Sequence, residues 1–146
     1  MTHPSPLDIV RYMMSRDAFS RWLGIAVDEV RPGYCKLSMA VRAEMTNGFG
    51  IAHGGIAYSL ADSALAFAAN ASGQMAKTVH LSCSYIRALH AGDLIYAEAT
   101  ESDRSKRFSY MDITITSGID KIASLHGMAF LSDKIWIIPP TSSGAQ

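Results

Sequence analysis

The chain has 146 residues, 49% of them hydrophobic, with 13 basic against 13 acidic side chains and a formal net charge of +0. That length and composition fit one folded domain, residues 1–146, with its own core, and exclude a disordered chain. The neutral balance gives no bulk attraction to nucleic acid or to an anionic membrane surface.

The opening MTHPSPLDIVRYMM lacks a basic stretch followed by an apolar one, so no secretory signal is expected. No apolar run is long enough to span a bilayer. A cytosolic location with two reduced thiols, Cys35 and Cys83, is the expectation. Both cysteines sit in alternating, strand-like segments and read as small core residues. Neither has the glycine-rich or helix-start setting that would make a nucleophile of it.

In SPLDIVRYMMSRDAFSRWLG, residues Leu7, Ile9, Val10, Met13, Met14, Phe19, Trp22 and Leu23 recur at helical spacing. They predict one helix or two short ones over about 6–23, opened at Ser5-Pro6 and stopped at Gly24. IAVDEVRPGYCKLSMAV reads as two strands joined at Pro32-Gly33. A glycine-rich loop spans 42–53. A long helix follows over about 54–71, closed by Ser72 and Gly73. Four strand-like runs come next, KTVHLSCSYIRAL, DLIYAEATES, RFSYMDITITS and KIASLHGMAFLS, separated by the turns HAGD, DRSK and GIDK. The tail, about 136–146, is expected to be poorly ordered from IPPTSSGAQ on.

Strands gathered around a single long apolar helix predict an α+β layer, an antiparallel sheet packed on that helix. Ile56, Ala57, Leu60, Ala61, Ala64, Leu65, Phe67 and Ala68 make the helix apolar nearly all round. One sheet covers one side, and a second copy of the chain is the simplest cover for the other.

Two features of this helix carry candidate chemistry. Asp62 stands amid small apolar residues, where an unpaired carboxylate costs several kcal/mol. It either bonds a nearby hydroxyl (Ser59, Ser63 or Tyr58), faces solvent, or has a function. His53-Gly54-Gly55 opens the helix. Glycines there allow close approach to backbone N–H groups that point out of the helix end, a setting for an anion or a developing oxyanion. The plainer reading is a turn, with the histidine as a cap. Gly54 and Asp62 are eight residues apart, roughly 12 Å along a helix axis. One helix cannot bring both to one carbon, whereas two antiparallel copies across a twofold axis can.

The stretch resembles the signature of the hotdog-fold acyl-CoA thioesterases, in their phenylacetate-degradation (PaaI-like) branch. Asn47, Gly48, Gly50, His53, Gly54, Gly55, Leu60 and Asp62 match it in order and spacing. DAFSRWLGI, SYIRALHAGD and FSYMDITI extend the likeness, and Ala88 departs from it where relatives commonly carry proline. The resemblance implies a hotdog fold, an antiparallel sheet wrapped around one long central helix. It implies hydrolysis of an aryl- or medium-chain acyl-CoA. Asp62 would be the nucleophile or general base, the Gly54 N–H the oxyanion donor, and His53 and Asn47 would position carbonyl or water. Gly55 would allow close packing, and Ser63 would orient the carboxylate. It implies no cofactor, and the five histidines show no metal-ligand spacing. A homodimer is the least assembly it implies, and relatives build tetramers from such dimers.

Arg104, Lys106 and Arg107 flank the DRSKR turn, with Arg87 at a neighbouring strand end. By residue type they read as a solvated turn. By resemblance they face the phosphates of coenzyme A, which guanidinium groups grip well. Two other functions fit the fold. A hydratase or dehydratase would need a different loop motif, which is not seen. A non-catalytic acyl-thioester binder has no use for a buried carboxylate.

Overall fold

A computed structural model of the chain describes residues 3–139. It contains helices α1 (Pro6–Arg16), α2 (Ala18–Leu23) and α3 (Gly54–Asn70), a short 3-10 turn at Ala43–Met45, and six strands. The strands are β1 (Ala26–Arg31), β2 (Tyr34–Ala40), β3 (Gln74–Tyr85), β4 (Leu94–Arg104), β5 (Phe108–Ser117) and β6 (Asp120–Ile135).

Of the two options for the N-terminal segment, two helices form. Ser5 and Asp8 build a reciprocal cap at the start of α1: the Ser5 hydroxyl oxygen accepts the Asp8 N–H, and the Asp8 carboxylate accepts the Ser5 N–H. Asp17 breaks the helix because its side chain does a second job, accepting the Ser20 N–H at 2.9 Å as the cap of α2. Gly24 ends α2 in the left-handed conformation, φ +79°.

All six strands join one antiparallel sheet in the order β1-β2-β4-β5-β6-β3. Helix α3 packs on one face of it, the architecture expected from the sequence. Leu60, Ala61, Ala64, Leu65, Phe67 and Ala68 share one buried cluster with Leu37, Ile95, Met111, Ile113 and Leu125 of the sheet. At Gly127 the helix lies close on the sheet: an added methyl carbon would stand 2.2 Å from Leu65 Cδ1.

The uncovered side of α3 differs from expectation. The N-terminal helices, through Val10 and Leu23, bury part of the surface assigned to a second copy. What remains partly exposed includes Gly55, Ile56, Tyr58, Ser59, Asp62 and Ala66, a mixed stripe rather than a wholly apolar one.

The last strand also runs further than expected. It reaches Ile135, paired with Gln74, and Trp136 is anchored rather than loose. Its indole N–H donates to Asn70 Oδ1 at 2.8 Å, its backbone N–H donates to Gly73 O at 2.8 Å, and its ring meets Tyr12 edge-on at 6.1 Å. Buried Asn70 is fully used: its Nδ2 donates to Ala66 O and Ala76 O, and its Oδ1 also accepts the Ala76 N–H. This amide ties the end of α3 to the start of β3 and the end of β6. Of the expected loose tail, Ile138 and Pro139 are in no helix or strand, and the rest, from 140 on, lies outside the described residues. No helix among the described residues is long and apolar enough to cross a membrane.

Candidate active site

The glycine-rich loop is fastened at both ends. The Asn47 N–H donates to Ile51 O at 2.7 Å, the His53 N–H to Met45 O at 2.8 Å, and the Ala52 N–H to Leu89 O at 2.7 Å. Asn47 Oδ1 accepts the Phe49 N–H at 2.9 Å, so its Nδ2 is left free to donate elsewhere. The loop then delivers His53 as the cap of α3. His53 Nδ1 accepts the Gly55 N–H at 2.9 Å. A nitrogen that accepts carries no proton, so the ring proton is on Nε2 and the outer edge of the ring is a donor. The expected plain role of His53, a helix cap, and a role in positioning a ligand are therefore compatible. Gly54 N–H has no acceptor among the described residues.

Asn47, His53, Gly54 and Arg87 line one cleft of about 310 Å³, together with Ala57 and Tyr85. The structure thus brings three of the four expected catalytic residues together. Asp62 does not line the cleft. It lies two turns along α3 on the open stripe, and its Oδ1 is buried with no hydrogen-bond partner among the described residues.

The local partners considered for Asp62 are engaged elsewhere or silent. The Tyr58 hydroxyl donates to Leu81 O at 3.1 Å, and Ser59 makes no bond to it. Ser63 is a correction to the expected orienting role. Ser20 donates its proton to Asp17 Oδ2 at 2.6 Å, so the 2.9 Å contact between the two serine hydroxyls has Ser63 as donor. Its single proton latches α2 onto α3 and is not available to the Asp62 carboxylate.

The basic turn also departs from expectation, because charge pairing inside the chain has claimed most of it. Arg104 turns inward to Glu101 at 2.9 Å and Gln74 at 3.2 Å, and Glu101 also accepts the Ser109 hydroxyl. Arg107 pairs with Asp133 at 2.9 Å. Arg87 donates to Lys121 O at 2.7 Å while lining the cleft. Lys106 alone of the four has no ion pair or hydrogen bond among the described residues. Neither thiol has an environment that favours the thiolate: burial pushes Cys35 up to about 12 and raises Cys83 as well.

One residue was missed from the sequence. Tyr85, the last residue of β3, donates its hydroxyl to Gly54 O at 2.9 Å. A methyl carbon on Gly54 would lie 3.0 Å from Tyr85 Oη, and one on Gly55 would lie 3.0 Å from His53 Nδ1. The two glycines make room for protein side chains at the helix start. The available signal was the glycine itself, a poor helix former in a first turn, which something must approach closely.

Comparison with known proteins places this geometry. Residues 49–124 match the family model of the thioesterase superfamily. The chain is 31% identical to a putative esterase of Archaeoglobus fulgidus over 132 residues, 90% of this chain and 84% of that protein. It is 34% identical to the acyl-coenzyme A thioesterase PaaI of Escherichia coli over 113 residues, 77% and 81% of the two chains. The solved structure of the E. coli PaaI protein superposes with a TM-score of 0.87 at 29% identity, covering 89% of this chain and 95% of that one. The chain therefore belongs to the thioesterase superfamily, in the PaaI-like branch of its hotdog-fold acyl-CoA thioesterases.

Proposed function

We propose that the protein hydrolyses an aryl- or medium-chain acyl-CoA to the free acid and CoA, at sites that each draw on two chains. The Gly54 N–H of one chain, at the positive end of α3, receives the charge that develops on the thioester oxygen. His53 Nε2–H and Asn47 Nδ2 orient that oxygen or the attacking water. Asp62 of the second chain attacks the carbonyl carbon itself, or takes a proton from the water that does. The carbon–sulfur bond breaks and the CoA sulfur leaves as thiolate; where Asp62 itself attacks, water then cleaves the acyl–Asp62 anhydride and frees the acid and the carboxylate. Lys106 is the basic residue of the DRSKR turn available to the CoA phosphates.

One observation carries this reading. Asp62 Oδ1 is buried and unpartnered, while the free Gly54 N–H lies eight residues earlier on the same helix. At 1.5 Å per residue the two are roughly 12 Å apart along the axis. Both must come within about 3 Å of one reacting centre. Antiparallel packing of two α3 stripes meets that requirement and gives Asp62 its missing surroundings. A homodimer is then the working unit, with a homotetramer of two such dimers and a cytosolic setting completing the reading.

Asp62→Asn tests it. The substitution keeps shape and removes the charge, so kcat for phenylacetyl-CoA or octanoyl-CoA should fall at least about a hundredfold with binding retained. Release of free thiol measures the rate. Turnover near the parent's would remove Asp62 from the mechanism.

A further inference from the structure

We infer that Tyr85 is a positioning residue for the oxyanion donor, its hydroxyl holding the peptide unit at the start of α3 so that the Gly54 N–H stays aimed into the cleft. The inference rests on the reading of Gly54 as that donor.

The geometry is a chain of three linked groups. The Tyr85 O–H donates to Gly54 O at 2.9 Å, and the N–H of that same peptide unit, on Gly55, donates to His53 Nδ1 at 2.9 Å. The Gly54–Gly55 peptide plane is therefore gripped on both edges. A peptide plane held on both edges resists rotation, and with Gly54 in the helical conformation that restraint passes to the preceding plane, which carries the Gly54 N–H. The bonds also reinforce one another. Donation to the carbonyl makes the Gly55 N–H a stronger donor, which in turn makes the far edge of the imidazole, Nε2–H, a stronger donor. The Nε2–H edge thus lies at the end of a relay that begins at Tyr85, and the Gly54 N–H sits on the peptide unit next to the one held.

Three further facts fit this role. The phenol packs directly on Gly54, with Oη and Cζ at 3.0 and 3.1 Å from where a methyl carbon would stand. The relay holds only while the phenol keeps its proton, and burial and the neighbouring Cys83 raise its pKa above the ordinary 10.0. Tyr85 is also paired in the sheet, opposite Ala123 on β6, so it ties the helix start to the end of β3.

The test is Tyr85→Phe, which keeps the ring on Gly54 and deletes only the hydroxyl. With octanoyl-CoA and thiol detection, kcat should fall about tenfold, the effect of one hydrogen bond on a barrier, while KM stays at the parent value. A merely structural role would instead lower thermal stability or shift KM and leave kcat alone. Gly54→Pro is measured alongside. If Gly54→Pro is inactive and Tyr85→Phe keeps the parent kcat, the positioning role is overturned and the donor reading stands. If Gly54→Pro turns over at the parent rate, the donor reading falls and the positioning role with it.

Discussion

Two inactive variants, Asp62→Ala and Gly54→Pro, should recover about a quarter of the parent activity when unfolded and refolded together. Proline suits the site because Gly54 is the first residue of α3, where its N–H is outside the helical hydrogen bonding. His53 before it has φ −59° and ψ 138°, the extended backbone that a residue preceding proline adopts. The new ring carbon would stand 3.0 Å from Tyr85 Oη, so the tyrosine shifts by a few tenths of an ångström. That second effect falls on the same cleft and leaves the count of intact sites unchanged. Each homodimer carries one lesion in both of its sites and should be nearly dead. Random reassociation of equal amounts makes about half the dimers mixed, and in each mixed dimer one site collects both lesions while the other is intact. Half of one half is a quarter. Pairing of dimers into tetramers does not alter the figure, because each site is complete within a dimer. The assay is free-thiol release from octanoyl-CoA, with exchange verified by native mass of an isotope-labelled partner. Complete exchange with no recovered activity would mean that both groups act within one chain, and the antiparallel pairing of α3 would be wrong.

Other outcomes follow from single contacts. Lys106→Ala should raise KM for acyl-CoA and leave KM for a thioester lacking the nucleotide unchanged; equal shifts on both substrates would remove Lys106 from CoA binding. Gly127→Ala forces a methyl carbon to within 2.2 Å of Leu65 Cδ1. Overpacking of this kind costs about 1–3 kcal/mol, which in a chain of 146 residues should lower the melting temperature by roughly 3–10 °C; a change within a degree would show that Leu65 has another rotamer open to it. Burial raises the Cys35 thiol from 9.0 to about 12, so between those values the unfolded chain loses a proton that the folded chain keeps. Unfolding free energy should therefore fall as pH rises above about 9, by up to about 1.4 kcal/mol per pH unit from this group. Urea titrations between about pH 8 and pH 10.5 read that slope, which Cys35→Ala should flatten.

The fold was legible wherever a local device sets it. Ser5 and Gly24 act within three or four residues, and the outer ends of the N-terminal segment can be read from them, while the break at Asp17, though equally local, leaves the sequence open to one helix or two. The unmatched carboxylate of Asp62 and the helix opening at His53-Gly54-Gly55 were visible for the same reason, since a charge inside an apolar run conflicts with its surroundings. What escaped notice depends on partners distant in sequence. Tyr85 reaches Gly54 across 31 positions, Ser63 finds Ser20 across 43, and Arg107 meets Asp133 across 26. A run of basic residues shows its charge in the sequence but not which acids neutralise it, so Arg104 and Arg107 looked free. The anchoring of Trp136 could not be read from the sequence because its acceptor, Asn70, lies 66 residues earlier.

The way Asn70 is held also bears on how the protein ages. Asparagine decays spontaneously when the backbone nitrogen of the next residue attacks the side-chain carbonyl and ammonia leaves, and it ranks among the thermolabile residues. Here the attacking nitrogen, that of Ala71, donates its hydrogen to Phe67 O at 2.9 Å. The departing Nδ2 is tied to Ala66 O and Ala76 O, and the carbonyl oxygen is held by the Ala76 N–H and the Trp136 indole. Reaching the cyclic intermediate requires the Ala71 N–H to leave Phe67 O and the Asn70 side chain to swing toward it from where these bonds hold it. The clock at this position therefore runs only in molecules whose helix end has already come apart, and intact molecules accumulate no aspartate there.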